Sequence, residues 1–221
     1  MTDTIDLAHF TAMRQAMVAS QLRTSGVNDV RVIEAMSQVA RERFCPPETR
    51  ALAYSDTGTP LGHGRMLNPP LATGRLLTEA SVQPADRVLL IGAATGYTAT
   101  LLSRLAAEVV AVESDSLLVE RARVALAECP NVLVVEGPLP QGAPDHAPFD
   151  LLVIDGAVEA VPDRLSMQLR PGGRAVSGIL DHGIARLSAG RRSEHGFRLI
   201  DFADIDAARL PGFDRPKVFS F

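Results

Sequence analysis

A doubly wound α/β fold, with a mostly parallel sheet covered by helices on both faces, is predicted by two observations. Continuous apolar strands alternate with amphipathic helices between Arg87 and Ile179, and strands buried on both faces read as unbroken hydrophobic runs. A small-residue turn, Gly92-Ala93-Ala94-Thr95-Gly96, joins the first of these strands to the following helix, a junction at which backbone amides can approach a ligand.

The elements follow in order. Phe10, Met13 and Met17, continuing to Leu22, recur at helical spacing, and Gly26 stands where a helix end often needs a left-handed residue. Asp29 caps a second short helix that carries Val32, Ile33 and Met36 and stops before Pro46 and Pro47. Together they predict an N-terminal helical cover. From Thr57 to Pro70 the chain is dense in Gly58, Pro60, Gly62, Gly64, Pro69 and Pro70, without a sustained apolar period; a long ordered loop or lid is expected. Leu71 to Ser81 returns to helical spacing. Strands are predicted at Arg87–Ile91, Glu108–Glu113, Val132–Glu136, Leu151–Asp155 and Gly173–Ile179, with helices at Tyr97–Ala106 and Asp115–Glu128 and a helical turn around Asp163–Leu169. Short strands beyond Ile184, about a turn at Ser193–Gly196, and a last strand at Lys217–Phe221 predict an antiparallel C-terminal edge. The expected organisation is one domain over residues 1–221. Its cover and loop lie in 1–80, its α/β core in 81–180 and its β edge in 181–221.

At 221 residues and 46% apolar composition, the chain can bury one substantial core. Its formal charge of −4 comes from acids and arginines spread along the sequence. No basic run could neutralise many phosphates, so nucleic acid is not an expected partner. Asp3 and Asp6 stand where a signal peptide would be basic, and the apolar stretch Val88–Leu102 is broken by Gly92, Thr95 and Gly96. That stretch falls short of the roughly 20 residues a membrane helix needs. A cytoplasmic protein without membrane contact, most simply a monomer, is expected. Cys45 and Cys129 lack CxxC spacing and a neighbouring histidine, so neither a metal site nor a disulfide framework is expected. His63 reads as a solvated loop residue, and His182 and His195 have no ligand partners at useful spacing.

Glu113 ends the next strand about 20 residues after the glycine turn, the place from which a carboxylate accepts the ribose hydroxyls of an adenosine cofactor. A dinucleotide fingerprint would put its third glycine where Tyr97 stands, and a short-chain reductase would need a tyrosine four residues before a lysine, yet Lys217 is preceded there by Phe213. Both disfavour a nicotinamide cofactor. S-adenosylmethionine has no phosphates and tolerates the looser turn. The plainer reading is that Gly92 and Gly96 merely make a tight turn.

Further segments follow one another in a recognisable succession. Met17-Val18-Ala19-Ser20-Gln21-Leu22, Asp29 to Met36 and Arg41-Glu42-Arg43-Phe44 come first, then Ala53-Tyr54, Asp56, Pro60, Gly62, Gly64 and Pro70. Val88 to Tyr97, Val112-Glu113, Asn131-Val132, Gly137, Pro148-Phe149-Asp150 and Gly172-Gly173 complete it. Over most of residues 14–178 the chain resembles the protein-L-isoaspartate O-methyltransferase family. The resemblance implies a Rossmann-like, seven-stranded methyltransferase fold, S-adenosyl-L-methionine as cofactor, and an isoaspartyl carboxylate in damaged proteins as acceptor. Cofactor contacts are implied at Gly92, Ala93, Ala94, Thr95, Gly96, Tyr97, Glu113 and Gly137. Asn68 and Asp56 are implied to be catalytic, with Tyr54, Arg65, Met66 and Leu67 binding substrate. Asp155 joins them as an acid where this family has a small or hydroxyl residue and other methyltransferases meet substrate.

Four departures fall near the chemistry. After Gly64 the family reads Gln-Thr-Ile-Ser-Gln-Pro, whereas this chain reads Arg65-Met66-Leu67-Asn68-Pro69-Pro70, so Asn68 replaces the serine that meets the substrate carboxylate. Leu90 stands for an acid, Ala94 for the middle glycine and Pro138 for an aspartate on the adenine side. A carboxylate acceptor is ionised at neutral pH, so no general base is required and alignment dominates. Asn68 retains an amide donor for that task, while Pro69 biases it towards an extended backbone. Asp155 beside a carboxylate would repel it unless a cation or a proton intervenes. Asp56 also suits a turn and Tyr54 a packed ring beneath the loop. Two alternatives therefore stand beside the isoaspartyl enzyme: a catalytically degenerate homologue with a binding or regulatory role, and a methyltransferase for a different small carboxylate.

Overall fold

Alternation along each core strand sets the layering. Val88 and Leu90, Val109 and Ala111, and Leu151 and Val153 turn to one face of the sheet and join one apolar cluster. Leu89 and Ile91, Val110 and Val112, and Leu152 and Ile154 turn to the other face and join a second. This period of two, apolar in both phases, is what burial on both faces requires. The structure is a computed structural model that describes residues 2–194 and 196–215. His195 and the expected strand Lys217–Phe221 lie outside the described residues.

The chain begins with α1 (Thr2–Ala16), which continues through a π-helical turn, Met17–Leu22, and a short 3-10 turn, Arg23–Ser25, to the left-handed Gly26. Helix α2 (Val30–Gln38) is capped as expected: the Asp29 carboxylate accepts from the Arg31 amide at 2.8 Å. The predicted lid is not a structureless loop. It contains a small antiparallel hairpin, β1 (Thr59–Gly62) and β2 (Arg65–Leu67), in which Thr59 pairs with Leu67 and Pro60 with Met66. Glycine and proline had hidden these strands, because so short a ladder needs neither a long apolar run nor every amide. Helix α3 (Pro70–Ala80) then starts with Pro70 in its first turn, where the missing amide has no intrahelical role.

The larger sheet holds β3 (Arg87–Ile91), β4 (Glu108–Glu113), β5 (Val132–Glu136), β6 (Phe149–Val158), β7 (Leu169–Asp181), β8 (Ile184–Ser193) and β9 (Gly196–Ala203) in the order β5-β4-β3-β6-β7-β8-β9. Pairings from β5 to β7 are parallel, and β8 and β9 are antiparallel, giving the expected C-terminal edge. Helix α4 (Tyr97–Ser103) follows β3, α5 (Ser116–Ala125) follows β4 and the short α6 (Asp163–Ser166) follows β6. Helices α4 and α5 stop earlier than their periodicity suggested, at Ser103 and Ala125.

The cover is fastened by Arg41, whose side chain is fully buried. Its Nε donates to the Ala53 carbonyl at 2.7 Å, its Nη2 donates to the Asn68 carbonyl, and its guanidinium lies 4.7 Å over the Tyr97 ring. No carboxylate forms a direct ion pair with it among the described residues. Backbone dipoles and an aromatic face carry the charge instead. Arg41→Ala strands two buried carbonyls and leaves a cavity, a combination that costs about 3–5 kcal/mol. For a chain of this size that lowers the melting temperature by about 10 °C in thermal unfolding; the exposed neighbour, changed as Arg43→Ala, is the control and stays within about 0.5 kcal/mol.

Candidate active site

The turn after β3 is built from left-handed residues. Gly92 (φ 84°), Ala94 (φ 50°) and Gly96 (φ 98°) have positive φ, and the Gly92 and Ala93 amides both donate to the Val112 carbonyl at 3.0 Å. This folds the turn back over β4 and aims the Ala94 amide at Glu113, where it donates to Oε2 at 2.7 Å. An alanine in this conformation is strained relative to glycine by about 1 kcal/mol. The contact with Glu113 gives that geometry an electrostatic return.

Glu113 has no exposed surface. Besides Ala94, its carboxylate accepts from the amides of Ser114 at 2.7 Å and Asp115 at 3.1 Å. The Ser114 hydroxyl donates to Oε1 at 3.4 Å, and Nη1 of Arg65 of β2 donates to the same oxygen in a buried ion pair. Arg65 therefore meets the carboxylate expected to hold ribose. The hairpin tip makes a second contact, His63 Nδ1 lying 3.3 Å from Oδ2 of Asp115, the N-cap of α5. The lid thus crosses the mouth of the cleft.

On the β6 side, Asn68 joins two elements distant in sequence. Its Nδ2 donates to Asp155 Oδ1 at 2.7 Å and its Oδ1 accepts from the Ala208 amide at 2.7 Å. The segment around Ala208 also bonds to β6, with Ala157 N donating to Ala208 O at 2.8 Å and Leu210 N donating to Ala157 O at 3.0 Å. A Cβ on Gly156 would lie 2.5 Å from Ala208 O, so only glycine admits this approach. Leu210 reaches on towards Gly92, where its methyls lie 3.0 Å from the place of a Cβ and Arg65 Nη2 lies 3.6 Å from it. Leu210 and Phe213 are buried with the β3 and β6 side chains of the second cluster.

Burial pushes the Asp155 carboxyl above its usual range, opposed by the Thr98 and Asn68 side chains and by the charges of Arg41 and Arg65. The cations and the raised proton affinity are the two conditions under which an acid can face a carboxylate without prohibitive repulsion.

Other expected site residues lie elsewhere. Tyr54 is buried beneath the cover, its hydroxyl donating to Glu42 and accepting from Arg14 at 3.4 Å. Burial and the Glu42 carboxylate push its hydroxyl strongly upward, so it remains protonated. Asp56 is exposed in the turn before β1. Met66 is partly exposed on the hairpin and approaches Gly58, and Leu67 is buried in the core. Thr95 Oγ1 donates to the Phe44 carbonyl at 2.8 Å, and Tyr97 packs edge-on against Phe44 beneath Arg41, so both face the cover. Gly137 follows β5, its amide donating to the Glu113 carbonyl at 3.0 Å, with open space where a Cβ would stand. The structure brings together Gly92, Ala94, Glu113, Arg65, Asn68 and Asp155. Sequence reasoning missed Ala208 and Leu210; the only signal was the apolar Leu210-Pro211-Gly212-Phe213 within a polar tail.

The residue set suits an adenosine cofactor. A buried acid oriented by three amides offers paired acceptors for a diol, and Gly92 and Gly137 place no side chain beside it. Arg65 and Leu210 adjoin that same volume.

A parallel sheet ending in antiparallel strands, a left-handed turn after its first core strand and a buried acid ending the next define a methyltransferase of the α/β class. The family model described as protein-L-isoaspartate(D-aspartate) O-methyltransferase matches residues 13–201. Protein-L-isoaspartate O-methyltransferase 1 of Rhodopseudomonas palustris (strain HaA2) is 36% identical over 211 residues, covering 94% of this chain and 86% of that relative. The Roseiflexus sp. (strain RS-1) protein-L-isoaspartate O-methyltransferase is 41% identical over 170 residues, or 76% and 77% of the two chains. Among solved structures, a protein-L-isoaspartate O-methyltransferase superposes with a TM-score of 0.77 at 22% identity, covering 90% of this chain and 66% of that one. A putative Plasmodium falciparum protein of that name, in complex with S-adenosyl-L-homocysteine, gives 0.72 at 17% identity over 89% and 98%; both show the shared fold. The chain belongs to the protein-L-isoaspartate (D-aspartate) O-methyltransferase family. It is an O-methyltransferase by that membership.

The Asp155 environment has a pH signature. A carboxyl whose folded-state pKa is raised favours folding below the unfolded value, near 3.8, and loses that contribution as pH rises through the folded-state value. In Asp155→Asn the carbonyl oxygen still accepts from Asn68, and no carboxylate charge is desolvated at this position. Melting temperature at about pH 7–8 therefore rises, and the gain disappears towards about pH 4.

Proposed function

We propose that this chain uses S-adenosyl-L-methionine to methylate the isoaspartyl carboxylate of damaged proteins. The observation that carries the reading is the buried Glu113 at the end of β4, oriented by the Ala94, Ser114 and Asp115 amides beside the glycine turn. Family membership supplies the acceptor, and the expected setting is a cytoplasmic monomer acting without nucleic acid. Among the described residues no helix is long and apolar enough to cross a membrane.

When bound, the cofactor supplies an electrophilic methyl group on a sulfonium. Glu113 would accept the ribose hydroxyls, and Gly92 to Gly96 and Gly137 would lie against the nucleoside. The acceptor carboxylate needs no base at neutral pH, because its ordinary pKa is about 4. The protein's part is alignment and exclusion of water, for which orientation alone can contribute about 7–11 kcal/mol. In this reading Asn68 is a positioning residue: both ends of its amide are engaged, holding the lid to β6 and to the C-terminal segment. Arg41 and Arg65 supply the positive field that lets an acceptor carboxylate approach Asp155.

The proximity of Arg65 and Leu210 to the cofactor volume favours one second reading, a descendant whose own chain permanently fills the cleft. Ester formation on a synthetic isoaspartyl peptide, followed as methanol released on base treatment, separates the two. Turnover is expected, with Glu113→Ala losing about 100-fold in cofactor affinity through two hydrogen bonds to a charged acceptor. No turnover at saturating cofactor and peptide would support the filled-cleft reading.

A further inference from the structure

We propose that Arg65 competes with the cofactor for Glu113, so that the β1–β2 hairpin acts as a latch that must lift for cofactor to enter. The proposal rests on the cofactor assignment above and adds the regulation of that site.

The case begins with the capacity of one carboxylate. Each carboxylate oxygen offers about two lone-pair positions; Oε1 of Glu113 is crowded by Arg65 Nη1, the Ser114 amide and hydroxyl and the Asp115 amide, while Oε2 accepts from the Ala94 amide. The donors other than Arg65 belong to the turns that bound the cleft. Arg65 alone comes from the hairpin, so a ribose hydroxyl gains the crowded Oε1 by exchanging with this guanidinium. The exchange is also a spatial one, because Arg65 Nη2 lies 3.6 Å from the Cβ position of Gly92, the face on which a cofactor would lie.

The latch is built for release. Arg65 Nε is buried without a hydrogen-bond partner among the described residues, so the closed state leaves one donor desolvated and unpaid. The tip is held by His63 against Asp115, a half-exposed contact that solvent weakens. Gly62 and Gly64 flank that tip with φ of 87° and 71°, and neither has a neighbour within 4 Å of its Cβ position, so no packing opposes movement there. Asn68 and Arg41 anchor the far end of the hairpin to Asp155 and Ala53, and Leu61 and Leu67 are packed in the core, which makes the tip from Gly62 to Met66 the moving part. Once displaced, the guanidinium stays charged and remains beside the cleft, available to the acceptor carboxylate.

Two measurements test this. In calorimetric titration, S-adenosylhomocysteine should bind Arg65→Gln about tenfold or more tightly than wild type, since a closed latch populated at about 90% or more reduces apparent affinity by that factor. Weaker or unchanged binding by a folded Arg65→Gln would overturn the proposal. Hydrogen exchange on the unmodified protein gives a second readout that needs no variant. Saturating S-adenosylhomocysteine should speed exchange in residues 62–66, whereas a hairpin tip that closes on the cofactor would exchange more slowly and sink the idea. Failure of both proteins to bind S-adenosylhomocysteine would remove the cofactor assignment and the latch together. Binding that ignores Arg65 and leaves hairpin exchange unchanged would remove the latch alone.

Discussion

A guanidinium with no exposed surface and, among the described residues, no direct carboxylate partner is the constraint around which the site is arranged. Arg41 is admitted to the interior only because the Ala53 and Asn68 carbonyls and the Tyr97 ring converge on it. Those three groups come from the segment before the lid, the end of the lid and the first turn of α4. Satisfying one charge therefore fixes the position of the cover relative to the sheet, and the Asn68 side chain leaves its backbone already oriented towards Asp155. Asp155 in turn feels Arg41 and Arg65. The buried charges are coupled, so that moving one changes the field at the others.

The sheet was legible because its signal is local and repeated. Val88 to Ile91 and Val109 to Val112 are apolar in both phases, a pattern few other environments permit. The hairpin was not legible. Its ladder spans only a few residues between glycines, and what stabilises it is distant: Arg65 on Glu113 and His63 on Asp115. The site was legible in half its parts. Glu113 and the glycine turn follow from spacing along two adjacent strands, whereas the contacts of Ala208 and Leu210 with Ala157 and Gly92 depend on a return of the chain that no periodicity records. Tyr54 carries a motif position near the lid, and its hydroxyl bonds to Glu42 and Arg14 beneath the cover, partners that sequence spacing does not record.

Asn68 shows how a single replacement changes the wiring of a site. A hydroxyl in its place would donate and accept at a single oxygen, but the amide's separate nitrogen and oxygen span two partners in opposite directions, an acceptor on β6 and a donor in the C-terminal segment. The residue that departs from the family's pattern is thus the one that joins the lid, the sheet and the tail. Asp155, the other departure on this side of the cleft, is its partner. The two substitutions are complementary in hydrogen-bonding terms and read as a matched pair.

The π-helical turn at Met17–Leu22 amounts to one residue more than an α-helix would use over the same span. It changes the angular phase between the two halves of the first helix by about 100°. Upstream of it, Arg14 reaches Tyr54 and Glu42; at its end, Gln21 reaches the Tyr54 carbonyl at 3.0 Å and Leu22 is fully buried. Both halves thus address the same tyrosine. A single-residue deletion here would make the helix more regular and the protein worse, because one continuous α-helix would carry either Arg14 or Leu22 away from its partners. At this point the register of the chain is set by an irregularity, and insertions or deletions meet a barrier that ordinary substitutions do not.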